Sequence, residues 1–299
     1  MSLAANYNAA LIESAKQTGS IACMGIDPVI EALPYPDLSP GRRVLHFFEP
    51  IFAQMRQDKV FPGAFKPNIG YFHSLDAPLE GSNEGSRALA QIMELLRLEF
   101  PDIPVILDMK RGDIARSSRN YAEEAFLVWR ADAVTVSPYM GSDSVGPFLG
   151  LAEEQDGAVY VLNRTSNPGA RELQNLRTAD GIPFYVHVAQ KIISWNQEYG
   201  TAGAVVGATS PQELQELAEM YAPHSIPLLI PGVGGQGGSA SGTIEILRSS
   251  GYPVELARIN SSSGITHPWV KRKEPIPEDW PKAVVENLST LNTELGYVE

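Results

Sequence analysis

Residues 103–114 read Ile103-Pro-Val-Ile-Leu-Asp-Met-Lys-Arg-Gly-Asp-Ile114, an apolar run that ends in two carboxylates around an ammonium group. The run predicts a buried β-strand over 103–110. Because side chains alternate between the two faces of a strand, Asp108 and Lys110 are expected to share one face and the apolar residues the other. Charges buried this close together must pair, so the stretch predicts either a structural ion network or a functional site.

Apolar runs alternate with helix-like stretches along the whole chain. The runs rich in β-forming residues are 21–27, 64–69, 103–110, 133–138, 158–164, 204–208, 227–233 and 255–261. Helix-like stretches between them include 86–99, 118–129, 184–198 and 211–221. Eight such repeats in roughly 250 residues fit a closed (β/α)8 barrel better than an open doubly wound sheet of about six strands. The sequence therefore predicts an α/β fold, a single (β/α)8 TIM barrel domain over 1–299, with a Pro-rich C-terminal tail from about 272.

Composition narrows the possible partners and the compartment. The 299 residues carry a net charge of -12, and their Lys and Arg residues form no basic stripe, which argues against nucleic-acid binding. The single cysteine, Cys23, fits a reducing compartment. The N-terminus lacks the pattern of a signal peptide, and no apolar run approaches membrane-spanning length. We therefore expect a cytoplasmic protein that does not bind membranes.

Charged side chains recur at the ends of the first three predicted strands. Asp27 ends the first strand, Lys66 lies in the second, and Asp108 and Lys110 end the third. Strand alternation directs all four toward the barrel interior, at the end of the barrel where active sites of this fold lie. One such residue alone would usually be a solvated or paired charge, but four converging side chains favour a functional site.

Asp113 has two possible roles. It stands just before a predicted helix, where an Asp side chain commonly caps exposed backbone N–H groups. It could also act as a second carboxylate near Lys110, and the two roles are compatible. The long segments 74–86 and 165–182 follow the second and fifth strands, and either close over a ligand or decorate the surface.

The segments after the last two strands suggest an anion site. Residues 231–238 follow the seventh strand and are mostly glycine, with Gln236 as an additional donor. The eighth strand ends in a run of hydroxyl residues at 261–263. Loops in these positions commonly hold a phosphate in barrels of this type. The five His residues are scattered, so no metal site is predicted, and His267 is expected to be a core or surface residue.

The pattern Asp108-x-Lys110-x-x-Asp113-Ile114 resembles the signature of orotidine 5'-phosphate decarboxylases. Arg111 and the segment Thr165-Ser-Asn-Pro-Gly169 resemble their longer bacterial subgroup, type 2. The similarity extends over 27–265. It implies a (β/α)8 barrel that converts orotidine 5'-phosphate to UMP without metal or organic cofactor, as a homodimer with active sites at the subunit interface.

The resemblance also implies a role for each matching residue. Lys66, Asp108, Lys110 and Asp113 would form the catalytic charged tetrad, with Asp113 supplied by the partner subunit and Lys110 protonating carbon 6 of the pyrimidine. The substrate would be bound by Asp27 at the ribose, by Ser166 at the base, by Pro231, Gln236, Ser262 and Ser263 near the phosphate, and by Ile114 and Ser117 reaching the neighbouring site.

One position departs from the family pattern. An arginine that usually grips the phosphate is replaced by Ser263, and the candidates for a substitute cation are Arg258, Lys271 and Arg272. Two rival functions follow from these residues. One is a magnesium-dependent aldolase or decarboxylase of sugar phosphates, although Lys66 occupies a place where it would need an acidic ligand. The other is a nucleotide-binding homologue that has lost its activity.

Overall fold

A computed structural model describes residues 6–234 and 237–297 of the chain. Within these ranges, eight parallel strands form one sheet. The strands are β1 (Ala22–Ile26), β2 (Ala64–Pro67), β3 (Ile106–Arg111), β4 (Ala133–Val136), β5 (Ala158–Arg164), β6 (Ala202–Val206), β7 (Leu228–Ile230) and β8 (Ala257–Ser261). Their order is β2-β1-β8-β7-β6-β5-β4-β3. Parallel bridges from Phe65 to Val105 and from Asn68 to Asp108 join the two ends of the sheet. The prediction of a (β/α)8 barrel is therefore confirmed.

Helices surround the strands. They are α1 (Tyr7–Thr18), α2 (Pro40–Asp58), α3 (Ile69–His73), α4 (Glu84–Glu99), α5 (Ala115–Glu123), α6 (Ser142–Glu154), α7 (Ala170–Leu173), α8 (Phe184–Tyr199), α9 (Pro211–Tyr221), α10 (Ala240–Ser249), α11 (Ser263–Thr266), α12 (Pro268–Arg272) and α13 (Trp280–Leu295). One π-helical turn, Glu124–Val128, continues α5. Within the described ranges, no helix has the length and apolar character that crossing a membrane requires.

The predicted element boundaries differ from the structure mainly at strand ends. The third strand was expected from residue 103 but begins at Ile106, because before it only Val105 pairs with β2, through an isolated bridge. The sixth strand begins two residues earlier than expected, at Ala202. Helix α9 has the predicted bounds, and α8 ends one residue later than predicted.

The N-terminal end of the barrel is closed by α1. Ser14 Oγ donates to the carbonyl of Gly63 at 2.9 Å, and the hydroxyls of Tyr7 and Tyr160 lie 3.2 Å apart inside the core. Arg258 Nε also donates to the Gly63 carbonyl, at 2.9 Å. These buried contacts pack α1 against this end of the barrel.

Candidate active site

The carboxyl ends of the strands enclose a cavity of about 850 Å³. Eight of the predicted site residues line it: Asp27, Lys66, Asp108, Lys110, Ser166, Pro231, Ser262 and Ser263. They come from both halves of the barrel, because parallel strands deliver their last residues to one rim. The strand-alternation argument for the four charged residues is therefore confirmed.

These four charged side chains form one connected cluster. Asp108 lies at its centre, with Lys66 Nζ 2.9 Å from Oδ2 and Lys110 Nζ 2.5 Å from Oδ1. Lys66 Nζ is also 3.8 Å from Asp27 Oδ1, a buried oxygen that accepts no hydrogen bond from the described residues. The side chains of Lys66 and Asp108 are 5% and 7% exposed, whereas that of Lys110 is 48% exposed and faces the cavity. The cluster thus consists of a buried ion pair, Lys66–Asp108, and one accessible ammonium group, that of Lys110.

Charge pairing outweighs burial in this cluster. Burial raises the pKa of Asp108, but the ammonium groups of Lys66 and Lys110 more than offset this and hold that pKa well below its ordinary value. Burial lowers the pKa of Lys66, but the carboxylates of Asp108 and Asp27 more than offset this and raise that pKa above its ordinary value. Both groups are therefore charged at neutral pH.

Three predicted residues lie outside the cavity of their own chain. They are Asp113, Ile114 and Ser117. Asp113 Oδ1 accepts a hydrogen bond from the Ile114 amide at 2.7 Å, but α5 has Ile114 at its N-cap and no side-chain cap. The prediction that Asp113 caps this helix is wrong, because Asp113 lies one residue before the N-cap and its carboxylate binds the Ile114 amide rather than an amide of the first turn.

The segment after β5 covers part of the cavity. Thr165, Ser166, Asn167 and Gln174 line it. Gln174 fixes the start of the segment, since its Oε1 accepts from the Thr165 amide and its Nε2 donates to Thr165 Oγ1, both at 2.9 Å. Thr209 Oγ1 donates to the Ser166 carbonyl at 2.9 Å. This segment is therefore part of the site rather than surface decoration.

The chain matches a known family over most of its length. The sequence profile described as "Orotidine 5'-phosphate decarboxylase / HUMPS family" matches residues 64–248. The orotidine 5'-phosphate decarboxylase of Methylibium petroleiphilum is 43% identical over 244 residues, which cover 80% of this chain and 82% of that protein. The one from a Janthinobacterium species is 39% identical over 271 residues, which cover 90% of this chain and 92% of that protein. This chain belongs to the orotidine 5'-phosphate decarboxylase / HUMPS family. The resemblance is confirmed.

Solved structures of related proteins have the same fold. Leishmania donovani OMP decarboxylase superposes with a TM-score of 0.72 at 31% identity, covering 96% of this chain and 99% of that chain. Leishmania donovani UMP synthase superposes with a TM-score of 0.73 at 32% identity. The match covers 96% of this chain but only 56% of that chain.

Ser263 lines the cavity, whereas the three candidates for a substitute cation do not. Arg258 is fully buried at the opposite end of the barrel, where it donates to the carbonyls of Leu11, Gly63, Glu255 and Ala257. Lys271 and Arg272 lie on α12 and do not line the cavity either. Among the described residues, the lysine and arginine side chains that line it are Lys66 and Lys110. Arg258, one of the three candidates for the substitute cation, is therefore excluded by its position.

The predicted anion loop is only partly described. Pro231 lines the cavity with Gly232 and Val233, whereas Gln236 lies outside the described residues. The hydroxyl run packs tightly beside it: a Cβ at Gly25 would overlap the Ser262 side chain, and a Cβ at Gly264 would lie 2.7 Å from Ser261 Oγ. These glycines let the backbone approach the hydroxyls closely at the cavity wall.

Several cavity residues were not predicted. Asn260 is 8% exposed and its Oδ1 accepts no hydrogen bond from the described residues. His267 is a core residue, as expected, but it also lines the cavity, and burial lowers its pKa below the ordinary value despite the nearby Asp27. Thr135 lines the cavity and donates to Asp108 Oδ1 at 2.7 Å. Strand alternation could have placed Thr135 and Asn260 in the cavity wall, since each is the penultimate residue of its strand, β4 and β8 respectively.

Within the described ranges, no group of three or more His, Cys, Asp or Glu side chains is arranged to hold a metal ion. The cluster around Asp108 instead has ammonium groups where a cation would have to bind.

Proposed function

We propose that this protein decarboxylates orotidine 5'-phosphate to UMP in pyrimidine synthesis, as a cofactor-independent carbon–carbon lyase in the cytoplasm. The observation that carries the proposal is the carboxylate of Asp108 held between the ammonium groups of Lys66 and Lys110, in a member of this family. The reaction would take place in one barrel domain formed by the whole chain.

Lys110 is the proposed proton donor. Loss of carbon dioxide breaks the bond between ring carbon 6 and the carboxyl carbon and leaves the electron pair on carbon 6. An ammonium group fixed beside that carbon stabilises charge that develops late in the reaction. Lys110 then transfers one proton from Nζ to carbon 6, becomes neutral, and is reprotonated from solvent. Its accessible Nζ and its contact with Asp108 support this role.

Asp108 and Lys66 are proposed to assist the decarboxylation without donating the proton. Asp108 would lie next to the substrate carboxylate, and the repulsion between the two carboxylates would raise the energy of the bound substrate. Loss of neutral carbon dioxide would remove this repulsion. Lys66 keeps Asp108 ionised and, with Asp27, would bind the ribose hydroxyls. The unpaired Asp27 Oδ1 is an acceptor available to such a hydroxyl.

Binding of the base and the phosphate is assigned to the far wall of the cavity. Ser166 would hydrogen-bond the pyrimidine, and Pro231, Gln236, Ser262 and Ser263 would surround the phosphate. With Ser263 in the arginine position, neutral donors would make most of the hydrogen bonds to the phosphate. We therefore expect the phosphate to bind more weakly than it would to a bidentate guanidinium.

We propose further that the active protein is a homodimer with shared sites. Asp113, Ile114 and Ser117 lie outside their own cavity, so they are free to serve a neighbouring one. Ile114 is 50% exposed, and Met140, which is 43% exposed, has its Cε 3.6 Å from the place that a Cβ on Gly112 would occupy. Such a cluster is typical of a surface that a partner covers.

The two rival functions fit the site less well. A magnesium-dependent sugar-phosphate enzyme would need a cation between Asp27 and Asp108, and the ammonium of Lys66 lies there instead. An inactive nucleotide binder would have no use for charges buried at a desolvation cost.

The decisive experiment follows the loss of absorbance as orotidine 5'-phosphate is consumed, with and without a chelator. The parent chain, Lys110→Ala and the matched control Lys191→Ala, an exposed lysine on α8, would be compared. We expect activity in the parent and the control and its loss in Lys110→Ala. An inactive parent would favour the binder, activity abolished by the chelator would favour the metal-dependent rival, and full activity in Lys110→Ala would refute the assigned proton donor.

Site sharing has a separate test. Subunits carrying Asp113→Ala and Lys110→Ala would be mixed under conditions that allow subunit exchange. Each variant alone lacks one residue in both sites, whereas a mixed dimer contains one site with both residues, so partial recovery of activity is expected. Exchange without recovery would contradict shared sites.

A further inference from the structure

Thr135 makes three hydrogen bonds through one hydroxyl group. Its Oγ1 donates to Asp108 Oδ1 at 2.7 Å and accepts from the amides of Met109 at 3.1 Å and Lys110 at 3.0 Å. A threonine hydroxyl has one proton and two lone pairs, so its full capacity is used. The residue is 1% exposed, and water therefore cannot easily replace these bonds.

The hydroxyl compensates for an irregularity in the sheet. In the pairing of β3 with β4, Leu107 lies opposite Val134 and Arg111 opposite Val136, so three residues of β3 face the single residue Thr135. Such a bulge removes backbone partners from the ladder. The amides of Met109 and Lys110 lie within the bulge and bind the Thr135 side chain instead.

The bulge also determines where Lys110 lies. Lys110 has φ 49°, in the left-handed region that non-glycine residues seldom occupy. The Lys110 amide donates to the Thr135 hydroxyl, and that hydroxyl donates to Asp108. Asp108 in turn accepts a hydrogen bond from Lys110 Nζ. Thr135 therefore contacts both members of the Lys110–Asp108 pair: the backbone amide of Lys110 and the carboxylate of Asp108.

We propose that Thr135 is a positioning residue for the decarboxylation: its hydroxyl holds the bulged backbone of Lys110 and the carboxylate of Asp108 in one fixed geometry. The inference rests on the proposed function, because it assigns Thr135 a role through Lys110 and Asp108. Displacing a reacting group by about 1 Å can lower a rate about a hundredfold, so loosening this contact should affect the chemical step more than substrate binding.

The test compares Thr135→Val, which keeps the side-chain shape and removes the hydroxyl, with Thr135→Ser, which keeps the hydroxyl. We expect kcat for orotidine 5'-phosphate to fall about 10- to 100-fold in Thr135→Val, with KM changed less than about threefold. In Thr135→Ser both constants should stay within about threefold of the parent. A purely structural role would lower the melting temperature of Thr135→Val and leave kcat of the folded protein unchanged, which would overturn the proposal. Equal losses in both variants would also overturn it, since they would implicate the methyl group.

A second readout separates this inference from the proposed function. A crystal structure of Thr135→Val should show the Lys110 backbone or its Nζ displaced from Asp108, whether or not the parent decarboxylates the substrate. An unchanged pair would overturn the inference even if the parent is active, while an inactive parent with a displaced pair would count against the proposed function alone. If Thr135→Val does not fold, Thr135→Ala removes the hydroxyl without burying a second methyl group and is read in the same way.

Discussion

Replacing Lys66 with methionine removes a buried ammonium group while keeping most of an unbranched side chain of similar length. Lys66 Nζ lies 2.9 Å from Asp108 and 3.8 Å from Asp27, so the variant leaves Asp108 with Lys110 as its remaining cation. Breaking a buried ion pair by removing one partner typically destabilises a protein by about 3–5 kcal/mol. We expect a loss of about 3 kcal/mol in the free energy of unfolding at pH 7, the lower end of that range, because Lys110 still pairs with Asp108.

The loss should depend on pH. In the parent, the pKa of Asp108 is depressed, so its stabilising contribution is complete above the unfolded value of about 3.9 and is lost only as pH falls through the lower folded value. Without Lys66, burial is opposed by one cation fewer and the pKa of Asp108 rises. Below that raised pKa the folded variant binds one more proton than the folded parent. The stability difference between them should then shrink by about 1.4 kcal/mol per pH unit as the solution is acidified.

Urea unfolding at pH 7 and at several values down to pH 4.5 measures both effects. Lys191→Met, which removes an exposed lysine of α8, is the matched control and should change the unfolding free energy by less than about 0.5 kcal/mol. A deficit below about 1 kcal/mol for Lys66→Met at pH 7 would refute the buried-pair argument. A deficit that grows as the pH is lowered would refute the assignment of the effect to Asp108.

The remaining predictions concern Ser263, which lines the cavity, and Arg258, which lies at the closed end of the barrel. Ser263→Arg adds a guanidinium at an exposed position on the cavity wall and should lower KM for orotidine 5'-phosphate at least tenfold, because charged hydrogen bonds contribute about 1.5–3 kcal/mol. Steady-state kinetics would check this, and an unchanged KM would mean that the phosphate lies elsewhere. Arg258→Met leaves buried carbonyls unpaired and should lower the melting temperature markedly without changing KM. A raised KM with an unchanged melting temperature would contradict the location of Arg258 at the closed end.

Strand alternation could predict most of the charged cluster because Lys66 lies within β2, Asp27 directly follows β1, and Asp108 follows the regularly paired start of β3. Asp108 follows directly from the apolar pattern of its strand. Lys110 shares a face with Asp108 as predicted, but its backbone conformation did not follow from the pattern. A bulge depends on how β3 pairs with β4, and that pairing leaves no trace in the spacing of apolar residues. Alternation could place Thr135 in the barrel interior, but its role was missed for the same reason, since that role exists only opposite the bulge.

Arg258 shows a different limit of the sequence argument. Its nearness in sequence to the hydroxyl run suggested that it could reach the phosphate. However, Arg258 and Asn260 are two residues apart on one strand and therefore occupy successive layers of the barrel interior. Asn260 lines the cavity, while Arg258 lies one layer deeper among the carbonyls that α1 and the loop before β2 present. Depth along the barrel axis depends on register with the neighbouring strand, which a single sequence does not contain.

The charges of the proposed site explain why Asp113 would belong to a neighbouring chain. Asp27 and Asp108 balance Lys66 and Lys110, so the cluster within one chain is close to neutral. Asp113 of the partner subunit would add a negative charge only when the dimer forms, and the substrate carboxylate would add another beside it. Loss of carbon dioxide moves the negative charge of the substrate carboxylate to ring carbon 6, and protonation of carbon 6 neutralises it. The repulsion between the substrate carboxylate and the aspartates is therefore highest in the bound substrate and falls along the reaction. A fully self-contained cluster with Asp113 in its own cavity would bear that unbalanced charge in the free subunit as well, where it would only destabilise the fold.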